Sequence, residues 1–230
     1  MNYLELVQQV LLLSRISESR LSEPLSTFTG ATGPEYEAIQ WVAQADVDLQ
    51  LHRNGWLFMR GNADLLLSSG VSTLTPAAAL STIRMILPAE DCAGRRSIGC
   101  YLDSVADESR VAFIDYERWY GSGLGRGTQQ RSGRPSCCTD NNGVILFDAV
   151  ADKNYQITFD YTRKPQRMTL ATSKSLIPEE HRMVIVWWAL HRYYCLSRDS
   201  TTEFRAKCKV EMDRELNRLY AAQLPPTTSG

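Results

Sequence analysis

Hydrophobic residues recur every three or four positions in the first quarter of the chain, and this spacing predicts two amphipathic helices. In residues 2–16 the repeating positions are Leu4, Val7, Val10, Leu11 and Leu13. The second helix is expected to begin at Thr32-Gly33-Pro34-Glu35, which we interpret as a capping box with Thr32 as the cap. It should end at Asn54-Gly55, because glycine accepts the left-handed backbone that closes a helix.

From Trp56 onward, short β-prone runs bounded by turn residues replace the helical pattern. The predicted strands are Trp56–Met59, Ala63–Leu67, Val71–Thr75, Thr82–Leu87, Ile98–Leu102, Gly143–Phe147 and Tyr155–Tyr161. The last run alternates most clearly, with its aromatic and aliphatic residues at every second position. Residues 111–120 fit either a strand or a short helix. Residues 121–142, rich in Gly, Ser and Arg, are expected to form a long exposed loop.

Helical character returns at Ile177-Pro178-Glu179-Glu180, since proline and acidic residues suit the first turn of a helix. This helix should run to about Leu196, and a last helix should occupy about 203–221. The order of elements predicts an α+β fold. Helices in 1–55 and 176–222 would form a helical bundle, a β-rich sandwich- or barrel-like insertion would occupy 56–175, and 223–230 would be an extended tail.

The composition is that of a folded protein without a dominant charge. Hydrophobic residues make up 43% of the chain, charged residues 22%, and the net charge is −1. No global field therefore favours nucleic acid or a membrane surface. No apolar run reaches the roughly 18 residues of a membrane span, and we expect no signal peptide. The 6 cysteines are expected to be reduced thiols.

Candidate catalytic and metal-binding motifs are weak in this sequence. His52, His181 and His191 lack the spacing of a zinc site, and Cys137-Cys138 has no catalytic signature around it. The glycine run at 121–127 lacks the flanking strand and helix that a nucleotide-binding loop requires. We therefore predict no catalytic residue, no metal and no cofactor.

Two features suggest contacts with other macromolecules. The first is a stretch without acidic residues that carries Arg118, Arg126, Arg131 and Arg134. It could be a solvated loop, dock on a neighbouring protein, or face DNA in a channel. The second is the apolar run 183–190, which contains Trp187 and Trp188 and is followed by Tyr193 and Tyr194. A helix that is apolar on every side must be covered, either by the core or by a neighbouring subunit.

Several motifs occur in an order that resembles a known family. They are Met1-Asn2-Tyr3-Leu4-Glu5-Leu6-Val7-Gln8, Thr29-Gly30-Ala31-Thr32-Gly33, Ile39-Gln40-Trp41-Val42, Trp56-Leu57-Phe58-Met59-Arg60, Gly133-Arg134-Pro135-Ser136, Asp160-Tyr161-Thr162-Arg163-Lys164-Pro165 and Leu176-Ile177-Pro178-Glu179. In this order, over about residues 1–225, the chain resembles the head-to-tail adaptor (connector) proteins of tailed bacteriophages, particularly short-tailed ones.

This resemblance implies a structural protein of the virion neck that is not an enzyme. Such adaptors form a homo-oligomeric ring of about twelve subunits beneath the portal protein. The tail nozzle or tube, with tail fibres as a further contact, joins the opposite side, and packaged DNA passes through the lumen without sequence specificity. By analogy we expect a C-terminal segment to dock on the portal. Its residues would be Leu216, Leu219, Tyr220, Leu224, Pro225 and Pro226.

By the same analogy, the arginines of 118–134 would meet a tail protein or a neighbouring subunit. Two other functions remain open from the residues alone. A nucleic-acid-binding accessory protein would use this loop and the basic run 205–209. A small hydrolase would use a Cys or His residue.

Overall fold

The computed structural model describes residues 1–14, 25–91, 94–102, 107–124, 131–197 and 201–224. The chain forms two compact units, which we call the helical unit (Met1–Met59 with Pro165–Gly230) and the β unit (Arg60–Lys164). The predicted division of the chain had its boundaries after residues 55 and 175. The fold is mixed α+β.

The helices of the described residues follow the sequence pattern closely at both ends of the chain. In chain order they are α1 (Tyr3–Leu13), α2 (Pro34–His52), α3 (Pro76–Ala79), α4 (Tyr116–Gly121), α5 (Met183–Ala189), α6 (Cys195–Ser197) and α7 (Thr202–Gln223). Short 3₁₀ turns occupy Leu57–Met59 and Glu179–His181, and a π-helical turn spans Leu190–Tyr194 between α5 and α6.

Helices α1, α2, α5 and α7 share one hydrophobic core in the helical unit. Helices α1, α2 and α7 contribute side chains from one face, whereas every residue of α5 after Met183 is buried. Leu6, Val42, Leu49, Ile185 and Leu219 are completely buried. The apolar stripe predicted for the last helix is part of this core, since Cys208, Met212, Leu216 and Leu219 are all buried. Burial of this apolar surface is the main source of stability for the unit.

The ends of the first two helices differ from the prediction. Helix α1 begins with a capping box that was not predicted: Glu5 N donates to the Asn2 side chain, and Asn2 N donates to the Glu5 carboxylate. The capping box predicted at Thr32 is wrong, because Gly33, at φ 56°, is the N-cap of α2 and makes no side-chain bond.

The predicted glycine end of α2 is also wrong. Helix α2 ends at His52 because Arg53 adopts an extended backbone, and Gly55 does not take the left-handed conformation. The fully buried Trp56 instead folds back, and its indole Nε1 donates to the carbonyl of Leu49 at 2.9 Å. This bond satisfies one of the carbonyls that the last turn of a helix leaves without a partner.

The β unit is built around a nine-stranded, nearly closed and barrel-like sheet. The strands of the unit are β1 (Arg60–Leu67), β2 (Thr73–Leu74), β3 (Ile83–Leu87), β4 (Ala89–Glu90), β5 (Arg96–Tyr101), β6 (Ser109–Phe113), β7 (Arg131–Ser132), β8 (Cys137–Asn141), β9 (Val144–Phe147), β10 (Ala149–Val150) and β11 (Tyr155–Arg163). The main order is β1-β11-β5-β6-β8-β9-β2, with β3 beside β11 and β4 beside β5, while β7 and β10 form a separate pair.

Strand β11 organises this sheet. It pairs with β1 along Arg60–Leu67 on one edge and with β5 and β3 on the other. The predicted alternation is confirmed, since Tyr155, Ile157, Phe159 and Tyr161 are all buried. All pairs in the nine-stranded sheet are antiparallel except β6 with β8, which is parallel.

Three further predictions for this part of the chain need correction or completion. The strand predicted at Trp56–Met59 is wrong, since residues 57–59 form a 3₁₀ turn. The loop predicted at 121–142 is partly wrong, because β7 and β8 lie within it. Strand β8 buries Cys138 and Thr139 and pairs with both β6 and β9. The ambiguous stretch 111–120 contains the end of a strand followed by a short helix.

Candidate protein-docking surfaces

The two tryptophans of α5 lie in the core of the helical unit. Trp187 is 9% and Trp188 4% exposed, and both belong to the same buried cluster as α1 and α2. From the sequence, either the core or a neighbouring subunit could cover this helix. In the structure, the helical unit itself covers most of both indoles. The exposed side chains in this region belong mainly to the segment that follows α5.

That segment widens into the π-helical turn Leu190–Tyr194, a geometry that is rare in proteins and often occurs at functional sites. It directs the two predicted tyrosines to different helices. The Tyr193 hydroxyl donates to Asp48 on α2, while the Tyr194 hydroxyl donates to the carbonyl of Ser14 after α1. Both tyrosines are half-buried.

A groove of about 410 Å³, which we call the α2–π groove, lies between the end of α2 and this turn. Its lining residues are Asp48, Leu51, His52, Trp188, Arg192, Tyr193 and Leu196. Leu51 is 45% and Leu196 74% exposed, so the groove has an apolar rim that faces solvent. Exposed leucines beside aromatic side chains are typical of surfaces that contact other proteins.

The groove carries one charge of each sign. The Asp48 carboxylate accepts hydrogen bonds from Tyr193 and, at 2.9 Å, from Gln44. The Arg192 guanidinium lies 5.2 Å from the ring centroid of Trp188, at cation–π distance. Because burial and the nearby arginines lower the pKa of His52, that imidazole is neutral at neutral pH. It is joined to the Tyr220 hydroxyl at 2.7 Å.

The residues expected to dock on the portal fall into two groups. Leu216 and Leu219 are buried and hold α7 on the core. Tyr220 is half-buried and stacks on Trp56 with 5.5 Å between ring centroids, and Leu224 packs against the same core. Pro225 and Pro226 lie outside the described residues. Through Leu224, the described part of the segment is therefore held on the core of the helical unit.

The four arginines that were expected to contact a partner also fall into two groups. Arg131 donates to Ser136 Oγ at 2.9 Å and to Asp148 Oδ2 at 3.1 Å, and Arg134 donates to both carboxylate oxygens of Asp107 at 3.2 Å. Although burial raises the pKa of Asp148, hydrogen bonds from Ser136 and Cys137 and the charge of Arg131 lower it overall. These two arginines are therefore part of the structure of the β unit.

Arg118 differs, because it is exposed on α4 and its guanidinium makes no hydrogen bond or ion pair within the part of the chain that the structure describes. Arg126 lies outside the described residues. Helix α4 is fixed by Trp119, which is 1% exposed. On its outer side, Tyr116 and Tyr120 are 41% and 51% exposed, with 6.4 Å between their ring centroids. We call Tyr116, Glu117 and Tyr120 the α4 surface; Arg118 is two positions from each tyrosine and points to nearly the opposite side of the helix.

The α4 surface is the element that sequence reasoning missed. The i,i+4 spacing of its tyrosines would have indicated a shared face if the helical interpretation of 111–120 had been chosen. Tyrosine and arginine are the side chains that most often carry the binding energy of protein interfaces. Among the described residues, the α4 surface and the α2–π groove are thus two places where exposed aromatic or apolar side chains lie close together.

Comparison with known proteins agrees with this view. The family model described as SU10 adaptor protein matches residues 1–229, which is nearly the whole chain. The chain belongs to the SU10 adaptor family. It is thus a head-to-tail adaptor of a bacteriophage, as the motif order suggested. Comparison with the curated proteins gives no match.

Three cysteines of the adaptor lie where the protein environment disfavours the thiolate. Burial raises the pKa of the Cys100, Cys138 and Cys208 thiols, whereas a nucleophilic cysteine needs a lowered one. Within the described residues, no three His, Cys, Asp or Glu side chains are grouped in a way that could hold a metal ion. No helix in that part of the adaptor is both long and apolar enough to cross a membrane.

Proposed function

We propose that this adaptor is the subunit of a neck ring that attaches below the portal and joins it to the tail nozzle or tube, with packaged DNA passing through the lumen. The family match over residues 1–229 carries this proposal. A ring of identical subunits uses two different faces of each subunit, because each copy must contact one neighbour on either side. The α2–π groove is one surface that is a candidate for such a contact.

The C-terminal segment is proposed to dock on the portal. Leu224 packs on the core and its amide donates to the Tyr220 carbonyl at 3.0 Å, and a deletion of 225–230 keeps both residues of that contact. A segment of proline and small polar residues can order on contact with a partner. Deleting 225–230 should therefore abolish attachment to purified portals while leaving the unfolding transition of the adaptor unchanged.

The matched control keeps the prolines and replaces Thr227, Thr228 and Ser229 by alanine. It should attach to portals as the wild type does, since the proposed contact lies at the prolines. Attachment is measured by mass photometry of portals mixed with adaptor. Undiminished attachment of the deleted chain would remove the C-terminal segment from the proposal.

A tail protein or a neighbouring subunit is the proposed partner of the arginine stretch, and the structure indicates which positions test it. Reversing Arg131 would break its contacts with Asp148 and Ser136, so a loss of assembly there would not distinguish docking from folding. Reversal of Arg118 and Arg126 to glutamate is the better experiment. We expect fewer tailed particles with unchanged adaptor stability, and a normal yield of infectious particles would contradict the proposed contact.

A nucleic-acid-binding accessory role finds less support in the structure. In the basic run of α7, Arg205 donates to the carbonyl of Cys195 at 2.8 Å and Cys208 is buried. Lys207 and Lys209 are two positions apart, and at 100° per residue they point to nearly opposite sides of the helix. The run therefore does not form one basic surface. A salt-dependent shift of DNA by the purified adaptor would favour this alternative.

A further inference from the structure

The chain contains the dipeptide Asn-Gly twice, and the structure gives the two copies different environments. We propose that Asn54-Gly55, just after α2, is a site of spontaneous deamidation, whereas the fold protects Asn142-Gly143. This covalent modification needs no enzyme. It concerns a single subunit, so it does not depend on the proposed ring.

Deamidation of an asparagine uses the backbone nitrogen of the next residue as the nucleophile. That nitrogen attacks the side-chain carbonyl carbon, and the new C–N bond closes a five-membered succinimide ring. The side-chain nitrogen leaves as ammonia, which takes up the proton that the backbone nitrogen loses. Water then opens the ring to aspartate or isoaspartate. Glycine favours the attack, because it has no side chain to crowd the nitrogen and its backbone adopts many conformations.

At Asn142-Gly143, the backbone nitrogen is already engaged. The two residues form the turn between β8 and β9, where Asn141 pairs with Val144. Both have a positive φ, 53° for Asn142 and 84° for Gly143, as a type I′ hairpin turn requires. The Gly143 N–H donates to Asp140 Oδ1 at 2.7 Å. Attack at Asn142 must therefore break a hydrogen bond to a carboxylate and distort a turn that two paired strands hold.

At Asn54-Gly55, the backbone nitrogen has no such restraint. Asn54 is exposed, and neither its side chain nor the Gly55 N–H makes a hydrogen bond with any residue that the structure describes. Gly55 does not take a positive φ. Beyond the neighbours of Gly55 in the chain, the described atom nearest to the position of a Cβ there is Leu224 Cδ2, at 3.7 Å. The Gly55 nitrogen can therefore approach the Asn54 side chain without losing a bond.

The modification would change the connection between α2 and Trp56. Isoaspartate adds one carbon atom to the backbone before Gly55, and either product adds a negative charge beside Arg53. The next residue makes two contacts: the Trp56 indole donates to the Leu49 carbonyl, and its rings stack on Tyr220. A lengthened backbone displaces one partner of both contacts. We therefore expect modified adaptor to unfold at a lower temperature than fresh adaptor.

Peptide mass spectrometry of the full-length adaptor, sampled during incubation at mildly alkaline pH, measures both positions in one experiment. We expect Asn142 to deamidate about tenfold more slowly than Asn54, since tenfold corresponds to about 1.4 kcal/mol, and a hydrogen bond to a charged group contributes at least about that much. In guanidinium chloride the two positions should react at similar rates, because unfolding removes both environments. Equal rates in the folded adaptor, or a difference that persists in the denatured chain, would overturn the proposal.

Substitutions test the cause at each position. Asp140→Ala removes the acceptor of the Gly143 N–H and should speed the reaction at Asn142 by about tenfold, with Asn54 unchanged. Gly55→Ala adds a methyl group for which there is room, and it should slow the reaction at Asn54 alone. Thermal unfolding confirms that each variant is folded, and Asn54→Gln, whose longer side chain disfavours the ring, should keep its unfolding temperature during the incubation. An unchanged rate at Asn142 in Asp140→Ala would refute the protection by the turn.

Discussion

Replacing Asp46 by asparagine should change how the stability of the helical unit depends on pH. Asp46 lies on α2 and is completely buried. Its carboxylate accepts hydrogen bonds from Ser175 Oγ and, at 2.9 Å, from Gln50 Nε2. Burial disfavours the charged form and raises the pKa to about 6, although these bonds and the charge of Arg182 act in the opposite direction.

The size of the expected change in the free energy of unfolding follows from the raised pKa of Asp46. An unfolded aspartate has a pKa of about 3.9, so a folded value of about 6 corresponds to roughly 3 kcal/mol at about 1.4 kcal/mol per pKa unit. A carboxyl whose pKa is raised by folding stabilises the protein fully below its unfolded pKa. This contribution is lost as the pH rises through about 6, because the unfolded state then binds fewer protons than the native state. Between pH 4 and 7 the loss amounts to about 2 kcal/mol.

The assay is urea unfolding at several pH values between 4 and 8, followed by tryptophan fluorescence in a Trp119→Phe background. The remaining tryptophans lie in the helical unit, so the signal reports that unit. The free energy of unfolding of the wild type minus that of Asp46→Asn should fall by about 2 kcal/mol from pH 4 to pH 7. Asp213→Asn, which changes an exposed carboxylate on α7, should show no comparable fall. A constant difference for Asp46→Asn would refute the reasoning.

Further predictions concern close packing and arginine contacts in the β unit. Gly61→Ala should destabilise the unit by about 1–3 kcal/mol, because the added Cβ would lie 2.6 Å from the ring of Tyr161; urea unfolding measures this, and an unchanged midpoint would contradict it. Arg134→Gln should cost about 2 kcal/mol, since it removes the guanidinium bonds to the Asp107 carboxylate and to the Cys100 carbonyl, whereas Arg118→Gln should stay within about 0.5 kcal/mol. Equal effects of the two would show that Arg134 is not structural.

The elements that were predicted best are those whose hydrophobic pattern repeats within one continuous segment of the sequence. The apolar stripe of α7 and the alternation of β11 each repeat over enough residues to outweigh individual exceptions. The end of α2 was missed because it depends on a tertiary contact: the Trp56 indole bonds to Leu49. Strand β8 was missed because Cys137–Asn141 has little β propensity, and it forms through pairing with β6 and β9.

The candidate docking surfaces were harder to foresee than the fold. The arginines of 118–134 were visible as a group, but only the structure shows that Arg131 and Arg134 have partners within the β unit. The α2–π groove combines residues 48–52 with residues 188–196, and its shape depends on a π-helical turn that has no sequence signature. Surfaces built from distant segments in this way are set by packing, which periodicity does not describe.

The two-part construction of the helical unit has a consequence for biosynthesis. Helices α1 and α2 leave the ribosome first, but α5 and α7, which complete their core, are made only after the whole β unit. Until then their apolar faces have no cover, while the β unit, a continuous segment, already has every strand that it needs. Released fragments that end at residue 182 should therefore be sensitive to proteases at their amino-terminal helices, although they contain every strand of the β unit.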